Sequence, residues 1–108
     1  MNAPQSTAVL APTVKLLING EFVESKSTVW RDVVNPATQQ VLARVPFATP
    51  ADVNAAVASG KEAFKTWRKT AIGARARIFL KYQQLIRENM AELAAILTAE
   101  QGKTLPDA

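Results

Sequence analysis

The sequence predicts an α+β chain in which two β-hairpins are followed by three helices. Three observations lead to this order. The pair Asn19-Gly20 separates two short apolar runs, which is typical of a type I′ hairpin turn. Apolar residues then alternate along a second stretch rich in β-formers. After residue 49 they recur every three or four positions, which is the spacing of one helix face.

The composition is that of one globular domain or part of one. The chain has 108 residues, of which 48% are hydrophobic and 20% are charged. A domain of this size buries roughly 60–70% of its surface. No apolar run approaches the roughly 18 residues of a membrane span, and the first 13 residues lack the pattern of a secretory signal. We expect no membrane segment and a cytoplasmic location.

Residues 1–13 are predicted to be a flexible tail because they show no periodicity, and residues 14–108 are predicted to be the folded part. The first hairpin is centred on Asn19-Gly20. The second pairs a strand from Trp30 to Val34 with a run predicted to place four apolar residues on one face; these are Val41, Ala43, Val45 and Phe47. Asn35-Pro36-Ala37-Thr38 is the turn between them. Since Pro46 lacks an N–H, the last strand is predicted to end or lie at an edge there.

The first helix is predicted to begin after Thr49, with Pro50 in its first position and Asp52 placed to reach back to the cap. Its apolar stripe consists of Val53, Ala56, Val57, Gly60, Ala63, Phe64 and Trp67. Gly60 has two interpretations: a tolerated helix glycine that costs up to ~1 kcal/mol, or a point where another backbone crosses closely.

A second helix is predicted from about Ala74 to Glu88, after a break at residues 70–73. A third is predicted to start with Asn89 and Glu92 as its cap and to end at Gly102 in the left-handed conformation. The sequence that follows resembles another helix start; it reads Thr104-Leu105-Pro106-Asp107.

The chain contains neither Cys nor His. This excludes disulfides, thiolate ligands, a cysteine nucleophile and the commonest general base from the chain. Its glycines form no dinucleotide-binding turn; they are Gly20, Gly60, Gly73 and Gly102. Gly102-Lys103-Thr104 resembles the end of a phosphate loop, but Leu97 stands where the earlier glycine is required. We therefore predict no catalytic, cofactor-binding or metal-binding residue in this chain.

The net charge of +4 is concentrated between residues 61 and 87, where the sequence has eight basic residues and one acidic residue, Glu62. The main interpretation is the solvated side of two amphipathic helices. The alternative is a basic module that binds nucleic acid or another polyanion. Phe64, Trp67 and Tyr82 lie on apolar stripes, so we predict that they pack in a core rather than stack on bases.

Several of these motifs, in this order and spacing, resemble the N-terminal part of an aldehyde dehydrogenase. They are Leu16-Leu17-Ile18-Asn19-Gly20-Glu21-Phe22-Val23, Asn35-Pro36-Ala37-Thr38, Ala63-Phe64 with Trp67, and Glu100-Gln101-Gly102-Lys103. The resemblance covers residues 16–108 and implies the N-terminal part of the α/β aldehyde dehydrogenase fold. Within that family, residues 82–86 and 100–108 are similar to methylmalonate-semialdehyde dehydrogenases.

The resemblance implies that the chain is a fragment of a longer enzyme. That parent would oxidise malonate or methylmalonate semialdehyde with NAD, lose CO₂ and form an acyl-coenzyme A. Its partners would be the rest of the chain, a small aldehyde and further copies in a homo-oligomer. Because the family's catalytic cysteine has no counterpart here, the fragment is predicted to be inactive and partly molten or aggregating by itself. The alternative within the family is a hydrolytic enzyme of the succinate-semialdehyde type.

Overall fold

The computed structural model describes residues 11–108, and its elements follow the predicted order. The strands are β1 (Leu16–Ile18), β2 (Glu21–Val23), β3 (Trp30–Val34) and β4 (Val41–Pro46). The helices are α1 (Pro50–Trp67), α2 (Ile72–Glu88) and α3 (Met90–Gln101). The strands form two separate two-stranded antiparallel sheets, β1-β2 and β3-β4. The prediction of two hairpins followed by three helices is confirmed.

The first hairpin turns as its sequence predicts. Asn19 has φ 55° and Gly20 has φ 74°, and two successive positive φ angles define the type I′ turn. Such a turn has the twist of the flanking strands. It therefore places Leu16 opposite Val23 and Ile18 opposite Glu21.

The second hairpin contains an irregularity that the alternation of its apolar residues does not reveal. Val33 pairs with Ala43, whereas its neighbour Val34 pairs with Val41, so one extra residue interrupts β4. Directly paired residues share a face and neighbours along a strand do not. The predicted single face is therefore wrong at Val41, which lies on the other face of the sheet from Ala43 and Val45. β4 ends at Pro46, as predicted.

Part of the predicted tail lies beside β4. Residues 1–10 are outside the described residues, so the tail from 1 to 13 stays a prediction for them. Thr13 forms a parallel bridge with Arg44. The N–H of Arg44 donates to the carbonyl of Pro12 at 2.9 Å, and the N–H of Val14 donates to the carbonyl of Arg44 at 2.8 Å. These bonds cover a section of the outer edge of β4.

α1 begins with the predicted capping box. The Thr49 hydroxyl accepts a hydrogen bond from the Asp52 N–H at 3.1 Å, and the Asp52 carboxylate accepts one from the Thr49 N–H at 3.0 Å. Pro50 occupies the first helical position, where its missing N–H has no consequence. The start of α1 is thus determined by four consecutive residues of sequence.

The boundary between α1 and α2 differs from the prediction. α2 begins at Ile72, two residues before the predicted start, and it has no side-chain cap. The Ala71 carbonyl accepts the first helical bond, from the Arg75 N–H at 3.0 Å. Gly73 is therefore inside the first turn of the helix instead of in the break before it.

Asn89 has a different role from the one predicted. Its side chain does not cap α3. Instead, its Nδ2 donates to the carbonyl of Leu85 at 2.8 Å, so that it satisfies an acceptor at the end of α2. α3 still starts directly after it and ends at Gly102, whose φ of 75° is the predicted left-handed cap.

The described residues form an extended arrangement with no hydrophobic core. The Cα radius of gyration is 19.0 Å, whereas a compact domain of this length has about 13 Å. Between residues 11 and 108, Pro46 is the one buried residue. Phe64 is 57% exposed and Tyr82 61% exposed. The predicted packing of these two aromatic residues in a core is wrong for this part of the chain.

Candidate functional site

The chain offers few groups for chemistry. It has no Cys and no His, and no cluster of three or more acidic, His or Cys residues capable of holding a metal ion occurs in residues 11–108. The side-chain chemistry available here is therefore that of carboxylates, hydroxyls and cations. Among these groups, the Asp52 carboxylate bonds to two separate segments of the chain.

The Asp52 cluster joins the start of α1 to the segment after β2. One Asp52 carboxylate oxygen accepts a hydrogen bond from the Ser25 hydroxyl at 2.6 Å and another from the Thr49 N–H at 3.0 Å. The Ser25 hydroxyl, followed by the Thr49 N–H, holds the pKa of Asp52 below its usual value of 3.8. An ionised carboxylate with these partners is an acceptor and a helix cap, not a proton donor near neutral pH.

The connections between strands and helices in residues 11–108 bear on whether a dinucleotide could bind there. A dinucleotide loop links a strand to a helix through glycines. α1 is the one described helix that directly follows a strand, and its connection, Phe47-Ala48-Thr49, contains no glycine. The Asp52 carboxylate also places a negative charge at the α1 N-terminus, where a phosphate would have to bind. These residues do not fit NAD.

Gly102-Lys103-Thr104 follows α3 and does not form a phosphate loop. Gly102 ends the helix, with its N–H bonded to the Thr98 carbonyl at 2.8 Å. Two residues later the Thr104 hydroxyl donates to the Asp107 carboxylate at 2.9 Å. The Ala108 N–H also donates to the Thr104 carbonyl at 3.0 Å, which is the helical spacing predicted for this segment.

The basic residues lie along the helices and partly interact with their neighbours. Lys65 pairs with Glu62, and the guanidinium of Arg68 lies 5.9 Å from the Phe64 ring centroid. In the second hairpin, Arg44 lies over the Trp30 ring, 6.0 Å from its centroid. Such contacts fit solvated helix and strand surfaces. Retention on heparin at physiological ionic strength is the test of the polyanion-binding alternative.

Many large apolar side chains of the described residues are exposed. All three helices carry exposed large apolar residues; they include Val53, Val57, Phe64, Ile78, Phe79, Tyr82, Leu85, Ile86, Met90 and Leu93. A groove of about 250 Å³ also lies between β1 and α1, lined by apolar residues of both elements. Apolar side chains exposed together on one helix face are typical of interaction surfaces. The geometry therefore supports docking to another polypeptide surface rather than catalysis.

A family model described as the aldehyde dehydrogenase family matches residues 22–108 of this sequence. The chain belongs to the aldehyde dehydrogenase family. It is 57% identical over 97 residues to the human protein named methylmalonate-semialdehyde/malonate-semialdehyde dehydrogenase (acylating), mitochondrial, covering 90% of this chain and 18% of that protein. It is 51% identical over 107 residues to the similarly named Dictyostelium discoideum protein, covering 99% of this chain and 20% of the relative.

Solved aldehyde dehydrogenase structures share this arrangement of elements. A protein named methylmalonate-semialdehyde dehydrogenase from Sinorhizobium meliloti, crystallised with NAD, superposes with a TM-score of 0.87 and 39% identity, over 92% of this chain and 20% of that one. Lactaldehyde dehydrogenase from Escherichia coli gives 0.85 and 31%, over 90% of this chain and 20% of that one. The chain spans about a fifth of the length of these aldehyde dehydrogenases. It corresponds to an N-terminal part of their fold.

The predicted absence of site residues stays a prediction. No catalytic, cofactor-binding or metal-binding residue was predicted from the sequence, and no such residue can be assigned from the geometry of residues 11–108. The residues that the sequence did not single out are Ser25, which bonds to Asp52, and Arg75, whose Nε is buried without a hydrogen-bond partner among the described residues. Ser25 gives no sequence signal because its partner is 27 positions away. Arg75 does give a sequence signal, because it is a charged residue at a position on the apolar side of α2.

Proposed function

We propose that this chain is part of an NAD-dependent, coenzyme A-acylating dehydrogenase of malonate and methylmalonate semialdehydes. One observation supports this substrate class above others. Relatives at 51–57% identity from animals, an amoeba and a plant have names that include methylmalonate-semialdehyde and acylating. The lactaldehyde dehydrogenase structure is less similar, at 31% identity.

In this proposal, residues 11–108 supply scaffold and docking surface. The reaction requires a thiolate that attacks the aldehyde, and the chain contains no Cys. NAD and coenzyme A would bind outside these residues, because no glycine loop joins a strand to a helix here. The segment contributes two hairpins and three helices with open apolar faces that would pack on the remainder of the enzyme. By itself it would have no dehydrogenase activity.

The experiment that tests the proposal is an assay of the longer polypeptide that carries this segment. It would be incubated with malonate semialdehyde and NAD, with and without coenzyme A, while NADH is followed by absorbance and acyl products by mass spectrometry. The expected result is NADH formation, CO₂ release and an acyl-coenzyme A. Free acid as the sole product, with or without coenzyme A, would instead identify a hydrolytic enzyme of the succinate-semialdehyde type.

Oligomeric state and compartment belong to the same proposal. We propose a homo-oligomer for the longer polypeptide, which light scattering of the purified protein would measure directly. No helix in the described part of the chain is long and apolar enough to cross a membrane. The sequence predicts the cytoplasm, whereas the animal relatives have mitochondrial in their names. Cell fractionation with detection of the longer polypeptide separates these two compartments.

A further inference from the structure

Arg75 is a cation on the apolar side of α2. Ile78, Phe79 and Tyr82 follow it by three, four and seven residues, and residues at these spacings share one face of a helix. Arg75 is half-buried, whereas Arg77 is exposed on the opposite side of the helix. These two arginines, two positions apart in the same helix, therefore differ in their exposure to solvent.

The guanidinium of Arg75 lacks a partner in the described part of the chain. Its Nε is buried, and the Nε–H donates no hydrogen bond to any described residue. The two ion pairs found among the described residues are Arg44–Asp32 and Lys65–Glu62, and neither involves α2. Arg75 thus presents a donor that is already removed from water but not satisfied.

If another surface covered the apolar side of α2, the charge of Arg75 would be buried, and this would be destabilising unless that surface also supplied a negative charge. An arginine stays charged in proteins, and an uncompensated charge that is taken out of water is penalised strongly. A carboxylate matches the planar guanidinium with two parallel hydrogen bonds and neutralises its charge. Backbone carbonyls would satisfy the donors but leave the charge in place.

We propose that this face, formed by Arg75, Ile78, Phe79 and Tyr82, docks a segment of the longer polypeptide that presents a carboxylate to Arg75 between apolar side chains. This inference rests on the proposed function in one respect, namely that the chain is part of a longer enzyme. Phe79 and Tyr82 are 65% and 61% exposed, so the apolar surroundings of the ion pair would come from both sides of the interface.

The test compares R75M with the matched variant R77M in the longer polypeptide. Thermal unfolding midpoints would be measured from pH 5 to pH 8. R75M leaves the partner carboxylate buried without its cation, which raises the pKa of that carboxylate. The midpoint of R75M is expected to lie roughly 5 °C or more below wild type at pH 8. The deficit should shrink toward pH 5 as the carboxylate becomes protonated, and R77M should follow wild type throughout.

Two results would overturn the proposal. A deficit of R75M that does not change with pH would indicate a neutral acceptor, and a midpoint equal to or above wild type would indicate that Arg75 has no partner.

If R75M yields no folded protein, R75K provides the second measurement. A carbodiimide joins an amine to an adjacent carboxylic acid as an amide, with the carbodiimide taking up the water that is lost. We expect mass spectrometry to find position 75 joined to an acidic residue outside residues 11–108.

Absence of that amide in R75K, or its equal formation in the R77K control, would contradict the carboxylate. The proposed enzyme function is tested separately by semialdehyde oxidation in the wild type. An inactive wild type whose R75M variant shows the pH-dependent deficit would overturn the function alone. An active wild type with a pH-independent deficit would overturn the ion pair alone.

Discussion

At the scale of single residues, Asp52 is the side chain that contributes most to local order. Its carboxylate accepts from the Thr49 N–H and from the Ser25 hydroxyl. One group therefore both caps α1 and connects it to a segment 27 residues earlier in the chain. The capping role follows from the sequence Thr49-Pro50-Ala51-Asp52, whereas the connection to Ser25 is tertiary and required the structure.

Ser25→Ala should raise the pKa of Asp52 toward its usual value, because the Ser25 hydroxyl is the largest cause of the lowered pKa. A carboxylate with a lowered folded-state pKa stabilises the fold above the unfolded-state pKa, and this contribution disappears as pH falls through the folded value. The affected window therefore lies below about pH 3.8. Carboxyl-carbon NMR titration of the longer polypeptide measures this pKa.

Ser27→Ala is the matched control, since the Ser27 hydroxyl bonds to the Val29 carbonyl at 3.0 Å and not to Asp52. It should leave the Asp52 titration unchanged. Equal titration curves for wild type and Ser25→Ala would show that the 2.6 Å hydrogen bond does not form in solution.

At the scale of elements, local sequence determines most of the structure. Asn19-Gly20 predicts the first turn and Thr49 predicts the start of α1, because both depend on backbone conformations of adjacent residues. The start of α2 at Ile72 was missed because no side chain caps it. The extra residue in β4 was missed since it depends on pairing with β3, which the alternation of apolar residues in one strand does not encode.

Gly60→Ala should strengthen α1 in a synthetic peptide of residues 47–69. Gly60 lies in the middle of the helix, and a Cβ built there meets nothing within 4 Å in the described part of the chain. Replacing a helix glycine by alanine stabilises by roughly 0.5–1 kcal/mol. Circular dichroism should therefore show more helix than in the parent peptide. No gain in helix would contradict the assignment of Gly60 as a simple helix interior position.

The same substitution in the longer polypeptide decides between the two interpretations of Gly60. A higher unfolding midpoint means that the position stays open, and this is the result we expect from the space around it. A lower midpoint, together with the gain in the peptide, would reveal a backbone crossing from outside residues 11–108. Ala58→Gly is the matched control, because it adds a glycine to the same helix and should lower the helix content.

Gly102→Ala should destabilise the junction between α3 and the second hairpin. Gly102 has a left-handed φ of 75°, which costs an L-residue roughly 1–2 kcal/mol. A Cβ there would also lie 3.1 Å from the Pro36 ring in the turn between β3 and β4. In the longer polypeptide, Gly102→Ala should lower the free energy of unfolding by less when Pro36→Ala is also present. If Gly102→Ala lowers the free energy of unfolding equally with and without Pro36→Ala, the contact with Pro36 contributes nothing and backbone strain explains the whole effect.

At the scale of the whole molecule, the described residues contain secondary structure without the burial that normally stabilises it. Leu85 and Ile86 are 43% and 38% exposed, although they lie on the apolar side of a regular helix. The apolar periodicity in the sequence correctly predicts that these residues share a face. It does not identify what covers that face, because periodicity carries no information about the partner. The chain spans about a fifth of the length of the aldehyde dehydrogenases it matches, and under the proposed function the complementary surface would come from the rest of the enzyme.

The isolated chain of 108 residues should therefore lack a cooperative thermal transition. Its helices alone are near the length at which helices are marginal in water, and its exposed apolar faces favour association. We expect helical far-ultraviolet circular dichroism, strong binding of a hydrophobic dye and concentration-dependent mass in sedimentation velocity. The longer polypeptide, measured in the same buffer, should unfold cooperatively and bind little dye. A monomeric isolated chain with a sharp, reversible transition would mean that the helices bury their apolar faces against one another, in an arrangement more compact than the one with a 19.0 Å radius of gyration.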